Sequence, residues 1–158
     1  MKDAVSIHRI ELLHPKVRQT FKDFITEAEY EQDTTFRVVQ GLRTFAEQDE
    51  LYSHGRTKLF DEHGRRLGIV TMAKAGSSYH NYGLAVDLVE MVNGLANWNF
   101  IYKKILHTAQ KYDIFWGGLF HSIIDKPHFE KHFGISWQEL RERHDKKQFI
   151  PGTEYVLI

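Results

Sequence analysis

His80 and Asp87 lie seven positions apart in Gly76-Ser-Ser-Tyr-His-Asn-Tyr-Gly-Leu-Ala-Val-Asp-Leu-Val89, separated by small residues and a glycine. An imidazole and a carboxylate at this spacing could share one metal ion if the chain between them folds back, and Gly83 and the serines permit that. Asp125-Lys-Pro-His-Phe-Glu130 supplies a second histidine in a cramped setting, His128. Catalytic zinc sites hold the ion with three protein ligands and leave a fourth position for water, and His80, Asp87 and His128 would form such a set. The same residues also admit a plain reading as surface histidines and an aspartate that ends a strand. Asp125 stands three residues before His128. On a straight strand that spacing would put the two on opposite faces. A bend at Lys126-Pro127 could instead bring the Asp125 carboxylate to the water, where it could take a proton and later return it to a leaving amine. Spacing alone equally suits an aspartate that stabilises a turn.

The totals narrow the classes of protein that could carry this chemistry. At 158 residues, with 42% hydrophobic and 13% aromatic content, the chain is expected to be one folded domain with its own core. Lys plus Arg is 21 and Asp plus Glu is 21, so net charge points to no nucleic-acid or anionic-membrane partner. With no cysteine, disulfides, a thiol nucleophile and thiolate metal ligands are excluded, and a metal would need imidazole and carboxylate, for which ten histidines are present. No run approaches the length of a transmembrane helix. Met1 to Ile10 carries Lys2, Asp3 and Arg9 and does not read as a secretory leader. The expectation is a cytoplasmic monomer that reaches any outside target by release.

The elements that must position these residues follow from periodicity and caps. Pro15 opens an amphipathic helix through Val17, Phe21, Phe24, Ile25 and Ala28. Thr34 to Gln40 is β-branched and aromatic, and reads as a strand. Thr44 and Glu47 match a capping box over a helix from Phe45 to His54, which Gly55 ends. Arg56 to Lys74 reads as a hairpin, with Leu59-Phe60 and Ile69 to Met72 as its arms. Leu84 to Val89 is a strand carrying Asp87, and Trp98 to Tyr112 has helical spacing with Asn97 or Asn99 as cap. Ile114 to Gly118 and His128 to Phe133 read as strands, and Ser136 and Glu139 open a last helix to about His144. Tyr155 to Ile158 could add an edge strand. The sum is an α+β fold with a small, mainly antiparallel sheet flanked by helices.

Ser78-Tyr-His-Asn-Tyr-Gly-Leu-Ala-Val-Asp87 resembles the Ser-x-His-x-x-Gly-x-Ala-x-Asp motif of the zinc D-Ala-D-Ala carboxypeptidase and L-alanyl-D-glutamate endopeptidase family, which includes VanY-like enzymes and phage endolysins. Asp125-Lys-Pro-His128 matches its second element, and Gly41-Leu-Arg43 through Arg56 resembles its upstream segment, so the likeness runs from about Phe36 to Phe133. The resemblance implies the D-Ala-D-Ala carboxypeptidase/hedgehog-like fold. It implies Zn2+ held by His80, Asp87 and His128, with Asp125 as the acid/base. Arg43 would bind substrate and stabilise the oxyanion, and Ser78 would either bind substrate or support the loop. Partners that fix the histidine tautomers are required, and Glu130 and Tyr82 are near in sequence.

The expected function is hydrolysis of peptidoglycan stem peptides at the L-Ala-D-Glu bond, toward which aspartate at position 125 leans. The alternatives are D-Ala-D-Ala carboxypeptidase or dipeptidase action, and a wall-binding module that keeps the zinc without catalysis. Asp125 and Arg43 count against the last, since a structural zinc needs neither. A phage or prophage lysin held in the cytoplasm until released fits these features, as does an enzyme recycling wall fragments.

Overall fold

The structure is a computed structural model describing residues 1–121 and 123–158. Its helices are α1 (Ala4–Glu11), α2 (Pro15–Gln32), α3 (Phe45–Ser53), α4 (Leu106–Lys111) and α5 (Trp137–Asp145). Its strands are β1 (Phe36–Gln40), β2 (Ala85–Val92), β3 (Leu95–Asn97), β4 (Phe115–Trp116) and β5 (His128–Glu130). The chain divides into two compact units, Met1–Leu42 with Gly83–Phe133, and Arg43–Tyr82 with Gly134–Ile158.

The first unit is organised on the sheet, ordered β1-β2-β5-β4 with β3 also paired to β2. Every pairing is antiparallel, as the sequence reading expects of an α+β chain. Register separates core from chemistry, because successive side chains on a strand take opposite faces. Val38 lies opposite Leu88, and Val86 opposite Phe129, so these four share one face. All four are fully buried. α2 covers that face with Phe24, whose ring centroid is 5.2 Å from that of Phe129. The other face carries Asp87 directly opposite His128, and Glu130 opposite Ala85.

α1 is an element that the sequence reading does not anticipate. Asp3 caps it by accepting from the Ser6 amide (2.8 Å), and Ser6 Oγ in turn accepts from Val38 N–H of β1 (2.8 Å). The helix buries Ser6 and Ile10. Buried Glu29 of α2 accepts from the amides of Phe36 (3.1 Å) and Lys2 (3.0 Å), tying the start of β1 to the N-terminus. Between Trp98 and Tyr112 the single expected helix is a 3-10 turn at Tyr102–Ile105 followed by the short α4. Tyr102 accounts for the break: its ring is buried and its hydroxyl donates to the Leu88 carbonyl (2.8 Å), a tertiary bond that local spacing does not reveal. The expected cap Asn97 belongs to β3, and α4 starts after Ile105 with no side-chain cap.

In the second unit both capping boxes form as read, Thr44 with Glu47 on α3 and Ser136 with Glu139 on α5. Phe45 centres the packing, 4.5 Å from the His144 ring, 6.1 Å from Tyr82, and 5.2 Å from the Arg141 guanidinium. The hairpin expected over Arg56 to Lys74 reduces to one bridge, Phe60 to Arg66. There Asp61 Oδ1 accepts from the amides of His63 (2.9 Å) and Arg65 (2.8 Å), so turn bonds satisfy the backbone that a ladder would have used. The expected edge strand at the C-terminus is likewise a single bridge, Phe149 to Val156.

Candidate metal centre

Asp87 and His128 are held by the most regular part of the sheet. Their Cα positions are direct partners across β2 and β5, and His128 Nδ1 lies 3.1 Å from Asp87 Oδ1. His128 Nε2 donates to Glu130 Oε2 at 2.8 Å, and both residues are buried. Burial alone would push the His128 imidazole toward neutrality. The hydrogen bonds to Asp87 and Glu130, reinforced by their charge, outweigh it and raise the pKa to about 10.

The turn into β5 confirms the bend expected at Lys126-Pro127. The Asp125 amide donates to the Gly117 carbonyl (3.0 Å), its carbonyl accepts from His128 N–H (3.3 Å), and the Pro127 carbonyl accepts from Leu88 N–H (2.9 Å). Trp116 Nε1 donates to the Lys126 carbonyl (2.7 Å). Gly117 is needed here, because a Cβ on it would lie 2.5 Å from the Asp125 carbonyl oxygen. The Asp125 side chain is exposed.

His80 sits in a 3-10 turn, Tyr79–Tyr82, within a loop fastened at several points. Its carbonyl accepts from the Arg43 amide (3.0 Å), and Asn81 Nδ2 donates to the Arg43 carbonyl (3.0 Å). Ser78 Oγ accepts from the His80 amide (3.4 Å). Tyr82 donates to the Gly76 carbonyl (2.7 Å), so it braces the loop, and burial pushes its hydroxyl pKa up. Gly83 takes φ +67°, and a Cβ there would stand 2.7 Å from His14 N; the bare backbone lets His14 N–H donate to its carbonyl (3.0 Å).

Arg43 is braced by a residue that sequence reasoning left without a role. Buried Gln48 accepts from Arg43 Nη1 (2.9 Å) while its amide donates to the Ala73 carbonyl (2.7 Å). The signal for it is spacing, since Gln48 falls on the first turn and a half of the helix that Thr44 caps. Glu130 was legible in the same way, two residues beyond His128 on one strand and hence on its face.

Ligand atoms of His80, Asp87 and His128 all lie within 4.8 Å of one another, the three residues that the sequence reading grouped. Two imidazole nitrogens and a carboxylate oxygen are a donor set suited to zinc, with a carboxylate already on the far nitrogen of one histidine. Such a donor set is one that metallohydrolases use.

Comparison with known proteins agrees. A family model described as D-alanyl-D-alanine carboxypeptidase matches residues 71–131. The peptidoglycan L-alanyl-D-glutamate endopeptidase CwlK of Bacillus subtilis (strain 168) is 35% identical over 129 residues, spanning 75% of this chain and 72% of that protein. The crystal structure of the L-Ala D-Glu endopeptidase ChiX of Serratia marcescens is 25% identical with a TM-score of 0.57, covering 82% of this chain and 88% of that one. The vancomycin resistance D,D-pentapeptidase VanY, solved in complex with Zn(II), shares the fold at 16% identity and a TM-score of 0.52, covering 82% of this chain and 78% of that one. The chain belongs to the D-alanyl-D-alanine carboxypeptidase and L-alanyl-D-glutamate endopeptidase family. Among the described residues, no helix is long and apolar enough to cross a membrane.

Proposed function

We propose that the protein is a zinc peptidase that hydrolyses the L-Ala-D-Glu bond of peptidoglycan stem peptides. The observation that carries the reading is the clustering of His80, Asp87 and His128 in a chain 35% identical to an endopeptidase of that specificity. These three residues would hold the metal, which supplies a water of pKa about 7 and a Lewis acid for the scissile carbonyl. Asp125 takes the proton of the attacking water and returns it to the leaving amine. Its place on a turn pinned at both backbone ends supports that role. Arg43 stabilises the oxyanion that develops as the carbonyl is attacked, and the bond from its guanidinium to Gln48 supports a fixed orientation.

D-Ala-D-Ala carboxypeptidase action is the second reading, favoured by the description of the family model that matches residues 71–131. A synthetic stem tripeptide with free L-alanine at its start separates the two, because it contains the L-Ala-D-Glu bond and no D-Ala-D-Ala. The zinc-loaded protein is expected to release L-alanine from it, to lose that activity on chelation and to regain it on adding zinc. Failure to cleave the tripeptide, with release of D-alanine from a pentapeptide, would establish the second reading instead.

A further inference from the structure

We propose that Glu130 is a positioning residue for the metal ligand His128, selecting which ring nitrogen faces the ion and strengthening it as a donor. The inference rests on the zinc reading above. Glu130 is buried on β5, a strand flanked by both β2 and β4. Its cross-strand neighbours are Ala85 and Phe115, neither of which offers a polar side chain. A carboxylate in such surroundings is costly, and an apolar residue would fill the position at less expense to stability. Its partner is His128, whose Nε2 lies 2.8 Å from Glu130 Oε2.

That one bond has two consequences for the ring. It holds the proton on Nε2, so that the tautomer presenting a lone pair at Nδ1 is selected, and Nδ1 is the nitrogen beside Asp87. It also places a negative charge behind the ligand, which makes Nδ1 a better donor to a cation. Because strand geometry sets both side chains on one face, the pair is rigid before any metal arrives.

The test is zinc affinity, measured by competition with a chromophoric chelator for the wild type, Glu130→Gln and Glu130→Leu. Glutamine keeps an acceptor oxygen for Nε2–H but loses the charge, so its affinity should fall about tenfold; leucine loses both, and a fall of about 100-fold is expected. In 15N NMR of histidine-labelled, zinc-loaded protein, His128 should remain protonated at Nε2 in the wild type and the glutamine variant. The same affinity in all three proteins would overturn the proposal. If leucine at this position prevents folding, the glutamine variant decides: wild-type affinity in it would overturn the charge effect. A wild type that binds no zinc would overturn the zinc reading itself, which the wild-type arm reports separately.

Discussion

Asp87 and His128 occupy directly opposed positions on β2 and β5, with Asp87 Oδ1 3.1 Å from His128 Nδ1. The core of the first unit lies on the other face of the same two strands, where Val86 opposes Phe129. One register thus fixes both the core and the two residues proposed as metal ligands, and a slip by one residue would exchange them.

Replacing His128 should cost metal and stability together. His128→Ala would leave Asp87 and Glu130 facing a space without a cation, and loss of one partner from a buried charged group costs about 3 kcal/mol or more. Elemental analysis should find no zinc in the variant, and thermal unfolding of the metal-free protein should shift down. Full zinc occupancy would remove His128 from the ligand set; His80→Ala should also lose zinc.

Asp125→Ala should behave differently. The Asp125 side chain is exposed and its turn is held by backbone bonds, so the fold and the bound zinc should persist. Hydrolysis should fall about 100- to 10,000-fold, the range for a positioned acid/base. Rates near wild type would exclude Asp125 from the reaction.

Gly83→Ala probes the bend that precedes β2. At φ +67°, and with the new Cβ 2.7 Å from His14 N, alanine is both strained and crowded. The variant should lose about 1–3 kcal/mol of stability, read as a lowered midpoint in urea. An unchanged midpoint would show that the local backbone relaxes freely.

Much of this arrangement is legible in the sequence where the signal is local. The capping boxes at Thr44 and Ser136, Pro15 at the start of α2, and the short apolar run carrying Asp87 each need only neighbouring residues, and each element forms. The proposed ligand trio was grouped through residue type and motif. What escaped depends on distant partners. α1 is held by Ser6 against β1, the break before α4 by Tyr102 on the Leu88 carbonyl, and neither partner is near in sequence. Glu130 was legible only as a residue near His128, and Gln48 escaped, because a bracing role is set by where a neighbour's side chain points.

Asp3 gives a pH dependence independent of the metal. Burial would raise its carboxyl pKa, but the bonds from Arg37 and Ser6 prevail and hold it below the usual carboxylate range. A group with a depressed folded-state pKa stabilises the protein above its unfolded value and loses that contribution as pH falls through the folded value. Asp3→Asn keeps a capping side chain but removes the charge that pairs with Arg37, and should cost about 1 kcal/mol or less at pH 7 because Arg37 is partly exposed. The deficit, followed by urea unfolding across pH, should shrink toward acid; a constant deficit would contradict the assignment.

Digesting purified peptidoglycan with the zinc-loaded protein and measuring fragment masses identifies the bond that is cut. Cleavage between L-Ala and D-Glu should release stem peptides beginning with D-glutamate and leave L-alanine on the glycan. Release of D-alanine alone, with every stem still attached to the glycan, would contradict it.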